Sequence, residues 1–420
     1  MTILKGITLF LALLRAPLFL VISALALISF YSAEINLSVV IIEMSRLADT
    51  PVLVSLPLFI FAGSLLSESG APGRMLTFSR IFLGWMPGGM AVITLVVCAI
   101  FTAFTGASGV TIFALGGLLL PALLKDGYSD KFSTGLITSS GSLGLLFPPS
   151  LPIILYGVVA GVRIDHLFLA GILPGILMLV LLITYSIIKS PKGQQRVVYS
   201  AREKLAGLKE IGWELPLPVI ILGGIYGGFF VPGEAAAITA LYVLIVEVFI
   251  LRDIPIKKLP AIMTQSMILY GGILVILAAS MASTNYLIDQ EVPTRLFDFI
   301  NSYIDSKYTF LLLLNVFLLL VGAMLDIFSA LVLVVPLILP IAEGYNVDPI
   351  HLGIIFLTNL QIGYCTPPVG LNLFLASYRF EKPIVELYRA TLPYLGLLLI
   401  TLVLITYFPW LSTFLISLWG

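Results

Sequence analysis

The chain has 420 residues, 60% of them hydrophobic and 10% charged, with 22 basic and 22 acidic side chains. A soluble domain carries roughly 25% charged residues, so the composition excludes one and fits a polytopic membrane protein. Zero net charge argues for no nucleic-acid partner, and Cys98 and Cys365, each in an apolar run, form no disulfide framework.

The first apolar run, Ile7 to Phe30, is long enough to stay as a span rather than be cleaved as a leader. Tyr31 to Thr50 mixes apolar residues with Glu34, Glu43, Arg46 and Asp49 and reads as an amphipathic arm. Val52 to Ser67 is a second span. Ala91 to Phe104 is apolar but only 14 residues long. At about 1.5 Å per residue it reaches roughly 20 Å, short of the ~30 Å hydrocarbon core. Gly106-Ala107-Ser108-Gly109 breaks it and Val110 to Leu124 follows, so the pair is expected to be a re-entrant hairpin over 91–124. Phe132 to Ala160 is a span interrupted at Phe147-Pro148-Pro149-Ser150. Leu167 to Ile188 spans cleanly, and Lys189 to Lys209 is a long polar loop with six basic residues. Leu215 to Phe230, Ala235 to Leu251 and Ile262 to Leu287 are further spans, and Asp289 to Lys307 is expected to be a polar loop. A second hairpin is expected over 308–341, broken at Gly322 to Asp326, then a second broken span over 351–377, interrupted at Thr366-Pro367-Pro368-Val369-Gly370. Tyr394 to Tyr407 and the tail end the chain.

The two interruptions are copies. The pairs Pro148-Pro149 and Pro367-Pro368 lie 219 residues apart, and the same offset carries Leu118, Leu120, Pro121 and Gly144 onto Leu337, Leu339, Pro340 and Gly363. Consecutive prolines remove two backbone donors and cannot continue a helix. Within a bilayer, freed backbone groups survive only against protein or a wet cavity. Matching breaks in two halves of a chain point to a transporter's binding site. The plainer alternative is two similar Pro-kinked helices.

The bias of basic residues sets the orientation. With the long 189–209 loop and the N-terminus in the cytoplasm, 18 of the 22 Lys and Arg residues fall on that side, and only Arg46, Arg163, Arg295 and Lys307 fall opposite. Five crossings separate the hairpins, so they enter from opposite faces. The expected fold class is therefore all-α and polytopic, an inverted-repeat, elevator-type transporter with two hairpins and two broken helices. Its expected division is residues 1–88 as N-terminal scaffold, 89–190 as the first transport repeat, 191–305 as scaffold, 306–380 as the second repeat and 381–420 as C-terminal helices.

Groups for bond-making chemistry are scarce. No phosphate-binding glycine loop and no His-Glu-x-x-His or Cys-x-x-Cys pattern occurs, so neither an enzyme nor an organic cofactor is expected. His166 and His351 read as solvated span ends. Asp326, at the tip of the second hairpin, is costly at mid-depth and so points to a cation, although it would also cap the helix that follows. Thr105, Gly106, Ser108, Gly109 and Thr111 mark the first tip, where carbonyl and hydroxyl oxygens suit Na⁺. The same residues also serve a chain reversal. Ser139 to Ser142 and Thr358, Asn359 and Gln361 form matching polar strips, suited to ligand contact or to plain helix packing. Ser150 and Asn372 follow the breaks and could reach the cavity, whereas Glu234 reads as an anion at a helix start.

The stretch Phe101-Thr102-Ala103-Phe104-Thr105-Gly106-Ala107-Ser108-Gly109-Val110-Thr111 resembles the first-hairpin motif in the large membrane subunit of TRAP (tripartite ATP-independent periplasmic) transporters. The likeness continues through Leu56-Pro57-Leu58-Phe59 with Gly63, Pro121 to Tyr128, Gly144 to Ser150, Gly223 to Tyr226, Pro232 to Ala236, Gly322, Asp326, Asp348-Pro349, and Gly363 to Asn372. The resemblance implies a sodium-coupled importer in a bacterial inner membrane, surrounded by lipid. It would take an organic acid, such as a dicarboxylate or sialic acid, from a periplasmic binding protein. It also implies a small four-helix membrane subunit, expected here as a separate chain. Carried over, the sodium-binding residues are Thr105, Gly106, Ser108, Gly144 and Pro148 in one half, and Gly322, Asp326, Gly363 and Thr366 in the other. Thr111, Ser139, Ser150, Asn359 and Asn372 are the expected substrate contacts, and Pro148, Pro149, Pro367 and Pro368 the structural breaks. Ala107 and Gly233 depart from the frequent serine and threonine of that pattern, so any ligand at 107 is a carbonyl. A stand-alone sodium–carboxylate symporter of the same superfamily is the nearest alternative. A channel is disfavoured because no charged pore-lining ring is evident.

Overall fold

The computed structural model describes residues 8, 17–45, 50–191 and 199–419, all in helices and their connections. The beginning of the first expected span, with Arg15, lies outside the described residues, as do Arg46, Asp49 and 192–198 of the long loop.

The first half runs α1 (Leu18–Ser32), α2 (Ser38–Ser45), α3 (Ser55–Glu68), α4 (Ala71–Leu83), α5 (Gly89–Thr105), α6 (Ser108–Lys125), α7 (Asp130–Ser140), α8 (Leu151–Ala160) and α9 (Ile164–Ile188). Next come α10 (Ala201–Glu210), α11 (Pro216–Tyr226) and α12 (Pro232–Ile250). The second half continues with α13 (Leu259–Asp289), α14 (Val292–Asn301), α15 (Lys307–Met324), α16 (Ile327–Gly344), α17 (Pro349–Gly363), α18 (Leu371–Phe380), α19 (Ile384–Tyr407) and α20 (Trp410–Trp419). Among the described residues, seven helices are long and apolar enough to cross a membrane, and α7 with α8 makes an eighth, bent by 45°.

Both hairpins form, though their arms are longer than expected. The arms α5, α6, α15 and α16 have 17 or 18 residues each, or roughly 26–27 Å, so length does not distinguish them from spans. Contacts across each reversal show that the arms pack as antiparallel pairs. The hydroxyls of Thr102 and Thr111, on opposite sides of the first tip, lie 2.6 Å apart. At the open end of the second hairpin the Lys307 ammonium donates to the Asn346 carbonyl at 2.5 Å and the Phe310 and Tyr345 rings stack at 4.4 Å.

The broken helices α7–α8 and α17–α18 run antiparallel. Tyr156 near the end of α8 donates to the Pro349 carbonyl at the start of α17 at 2.6 Å, and Lys382 beyond α18 pairs with Asp130 at the start of α7. They meet at Ser142, whose hydroxyl donates to the Gln361 carbonyl at 3.2 Å. These positions are themselves 219 apart, so the pseudo-twofold axis passes between them. Cross-packing obeys the same symmetry: α8 packs on α16 as α18 packs on α6, and α3 packs on α12 as α1 packs on α13. The 219-residue offset also superposes α5 to α9 on α15 to α19, so the repeat reaches Tyr407 rather than ending near residue 380.

Several local expectations change. The first break is wider than Phe147–Ser150: α7 ends at Ser140, and a single 3-10 turn, Leu143–Leu146, precedes the prolines. Gly322 lies inside α15 rather than in the turn of the second hairpin, which narrows to Leu325 and Asp326. The 189–209 loop contains α10, started by reciprocal capping between Ser200 and Glu203. The 289–307 loop contains the amphipathic α14, whose apolar positions face one side. Helix α11 is shorter than its expected span, but its segment still covers the depth of α12, since Glu214 before it shares a partner with Glu247 while Val231 after it opens α12. His351 is not solvated: it is 2% exposed, with its ring nitrogens 3.1 Å from the Ser412 hydroxyl and 3.3 Å from the Thr406 carbonyl. His166 is half-buried. Glu234 accepts from the Val231 N–H at 3.1 Å, as expected of an anion at a helix start.

Candidate functional site

Each hairpin tip packs against the broken helix of its own repeat, and glycines permit the approach. In the first half, α5 ends as Gly106 turns left-handed (φ +65°) and donates to the Thr102 carbonyl at 2.8 Å. A Cβ on Gly106 would lie 2.4 Å from Leu151, just past the proline pair, and one on Gly144 would lie 2.2 Å from the Ala99 carbonyl oxygen. The Thr102 hydroxyl donates to the Gly141 carbonyl at 2.9 Å, tying the tip to the end of α7. Thr105 and Ser108 are buried at the tip, and Thr111 is occupied by its bond to Thr102. Helix α3 reaches the same place: a Cβ on Gly63 would lie 2.7 Å from the Phe104 carbonyl oxygen.

The second half repeats this with different side chains. A Cβ on Gly363 would fall 2.5 Å from the Gly322 backbone, the counterpart of the Gly144 contact. Asp326 caps α16: its Oδ1 accepts from the Phe328 and Ser329 N–H groups at 3.0 Å, and its Oδ2 accepts from the Ser329 hydroxyl at 2.5 Å. The Tyr364 hydroxyl accepts from the Ile327 N–H at 2.6 Å, and Gly370 donates to the Ala323 carbonyl at 3.0 Å. The Thr366 hydroxyl donates to the Ile362 carbonyl at 2.9 Å. Thus Gly322 and Gly363 are brought together with Asp326 close by, as are Gly106 and Leu151 past the proline pair and Gly144 and the first hairpin arm, whereas the Thr366 hydroxyl bonds only within its own helix end.

The two halves differ in access. The first tip is closed over, with Thr105 and Ser108 at 6% and 3% exposure, whereas Asp326 and the second break at Pro367, Pro368 and Val369 are exposed.

Between the tips the broken helices carry buried polar atoms that find no protein partner. These are Ser139 Oγ, Ser150 Oγ, Thr358 Oγ1, Asn359 Oδ1, Gln361 Oε1 and Asn372 Oδ1, on residues exposed by 1% or less. Leaving such an atom unpaired costs about 1–3 kcal/mol. Asn372 and Cys365 also reach the Thr138 carbonyl, at 3.4 and 3.7 Å, with Ser139 beside the thiol, so residues from both breaks share one neighbourhood. Asn359 stands apart from that group. Its amide donates to Asn315 at 2.7 Å, and Asn315 in turn donates to Thr406 at 3.0 Å, directing that end toward α15 and α19. Sequence reasoning missed Tyr364, Asn315 and Thr102. Only Thr102 had a usable signal, its nine-residue spacing from Thr111 across a glycine turn.

A family model described as "Tripartite ATP-independent periplasmic transporter, DctM component" matches residues 6–411. The C4-dicarboxylate TRAP transporter large permease protein of Vibrio cholerae is 35% identical over 385 residues, covering 86% of this chain and 85% of that one. Its Pseudomonas aeruginosa counterpart is 33% identical over 373 residues, covering 88% and 87%. An isethionate TRAP transporter permease protein of Oleidesulfovibrio alaskensis is 36% identical over 369 residues, covering 87% of this chain and 58% of that one. The solved structure of the Alcanivorax borkumensis YdaH transporter shares the fold, with a TM-score of 0.60 at 14% identity over 86% of this chain and 84% of that one.

Proposed function

Since the chain belongs to the DctM component family of tripartite ATP-independent periplasmic transporters, we propose that it is the large subunit that carries an organic acid through the membrane, driven by sodium. The observation that carries this reading is the group of buried, unpartnered polar atoms on two antiparallel broken helices, each packed against the hairpin tip of its own repeat. Such groups hold ligands for which main-chain ends and small side chains supply the contacts. Sodium ions sit at the tips, one bounded by Thr105, Gly106, Ser108, Gly144 and Pro148, the other by Gly322, Asp326, Gly363 and Thr366. Na⁺ is a hard cation, served by carbonyl, hydroxyl and carboxylate oxygens. The substrate lies between, contacting Ser139, Ser150 and Asn372, with Thr111 and Asn359 behind them. The acid is a dicarboxylate, sialic acid or a similar carboxylate.

Transport follows an elevator route in which α5–α8 and α15–α18 move as a unit against α1, α3, α12 and α13. The arms α4 and α14 join that unit to the scaffold in both halves. The partners are a periplasmic binding protein that delivers the acid and a small four-helix membrane subunit on a separate chain. The protein lies in the bacterial inner membrane with its N-terminus and 189–209 loop cytoplasmic. The charge bias of the loops supports that orientation, as does the gathering of Asp130, Lys131, Lys382 and Arg389 around one cleft of about 230 Å³.

Proteoliposomes containing this chain, the small subunit and the binding protein test the reading. Uptake of a labelled C4-dicarboxylate or sialic acid is expected only with an inward Na⁺ gradient. Equal uptake in Na⁺-free buffer rejects sodium coupling, and full uptake by the chain alone favours a stand-alone symporter.

A further inference from the structure

Away from the hairpin tips, one guanidinium holds three carboxyl groups. Arg74 of α4 reaches Glu214 Oε1 through Nε at 2.5 Å, Glu247 Oε1 and Oε2 through Nη2 at 2.9 and 3.1 Å, and Asp253 Oδ2 through Nη1 at 2.5 Å. Glu214 precedes α11, Glu247 lies in the last turn of α12 and Asp253 follows it, so four segments meet here. Glu214 is 4% exposed, Glu247 1%, Arg74 12% and Asp253 26%. Asp253 Oδ2 also accepts from the Gly70 N–H at 2.9 Å. Glu214 Oε2 is buried and has no partner.

With every carboxyl ionised, the cluster carries two uncompensated negative charges. Among the described residues no basic side chain besides Arg74 pairs with these acids. The other titratable group facing them is Tyr242 of α12, whose hydroxyl is committed to the Trp213 carbonyl at 2.8 Å. Buried charges without compensation take up a proton instead.

We propose that Arg74, Glu214, Glu247 and Asp253 form a proton-binding site that controls how firmly α4 is fastened to the scaffold. One carboxylate takes a proton from bulk water, reached past the partly exposed Asp253, and becomes a neutral carboxyl; no other bond changes. The proton rests on Glu214 or Glu247. Burial pushes the Glu214 carboxyl above its ordinary range against the opposing pull of Arg74, whereas at Asp253 the Arg74 and Gly70 hydrogen bonds outweigh burial and hold the carboxyl low. A carboxyl raised on folding contributes stability below its ordinary range and loses it as pH rises through the raised value. Alkali therefore removes the proton, the acids repel one another, and α4 loosens. That matters because α4 joins α3 of the scaffold to α5 of the first hairpin, with Gly207 of α10 closing on Ile81 from outside. The arm of the other half, α14, has no such fastening among the described residues.

Hydrogen–deuterium exchange of residues 71–83 in the purified full chain tests this, comparing wild type with E247Q and E214Q. Glutamine imitates the protonated acid at every pH, and comparison at each pH cancels the intrinsic pH dependence of exchange. At about pH 5 wild type and variants should exchange alike; by about pH 9 wild type should exchange roughly tenfold faster, the equivalent of one pK unit of differential proton affinity. Infrared difference spectra should show a protonated-carboxyl band near neutral pH that weakens in at least one variant. Equal exchange in all three proteins at every pH, or a carboxyl band unchanged in both variants, overturns the proposal. Both measurements are made without substrate or sodium, so they stand or fall separately from the transport reading.

Discussion

Asp326 shows how one side chain caps a helix and still presents its carboxylate at a hairpin tip. Its two oxygens accept three hydrogen bonds from the first turn of α16, which fixes the carboxylate at the tip while its charge remains exposed. Asn in its place keeps an oxygen for the Phe328 and Ser329 N–H groups, so the cap weakens by at most about 1 kcal/mol. The charge is lost, and each ~1.4 kcal/mol of lost cation affinity is a tenfold change in binding. Asp326→Asn should therefore leave a folded protein whose half-saturating Na⁺ concentration for uptake rises about tenfold or more. Wild-type sodium dependence in that variant removes Asp326 from the ion site. Gly144 and Gly363 carry the opposite kind of constraint, since they matter for lacking a side chain. A methyl at either would press on the backbone of its own hairpin arm, 2.2 Å from Ala99 O or 2.5 Å from Gly322 C. Gly144→Ala and Gly363→Ala should each cost about 1–3 kcal/mol by overpacking, read as a lower midpoint in a thermal melt. Gly396→Ala on α19 meets nothing within 4 Å and should not lower the midpoint, and gains up to about 1 kcal/mol from the better helix former.

At the scale of elements, the decisive features are the interruptions of α7–α8 and α17–α18. Each proline pair denies the chain two donors, so carbonyls that a continuous helix would consume stay available. Pro148→Ala and Pro367→Ala restore a donor and relax the bias against helix in the preceding residue. Both should lower uptake several-fold while the protein stays folded, measured by transport alongside circular dichroism. Unchanged uptake in both would mean that the surrounding packing alone holds the breaks open. The breaks are alike in sequence but not in setting: the first packs against α5 and α9 with Pro149 and Ser150 buried, while the second is exposed at Pro367, Pro368 and Val369 with Asp326 nearby.

At the scale of the whole molecule, the 219-residue offset governs more than the prolines. It relates arm to arm, hairpin to hairpin and span to span from α1 to α19, and the contact between Ser142 and Gln361 marks its axis. The sequence by itself determined the membrane class, the two hairpins, the two breaks and their inverted relation. The membrane class rests on apolar run length, and the turns, breaks and inversion on the missing donors of proline, the small residues at turns and the placement of lysine and arginine. It also exposed Asp326 as the ionisable residue to examine, because a charge in an apolar tip is conspicuous along a single chain. Only the tertiary structure decided that Gly322 is a packing residue within a helix, that His351 is buried against α19 and α20, that Asn359 faces Asn315, and that Arg74 gathers acids from three distant segments. Each of those depends on which groups meet across more than forty residues of chain. A pattern read along the sequence carries periodicity and local propensity, but partners that distant are chosen by packing.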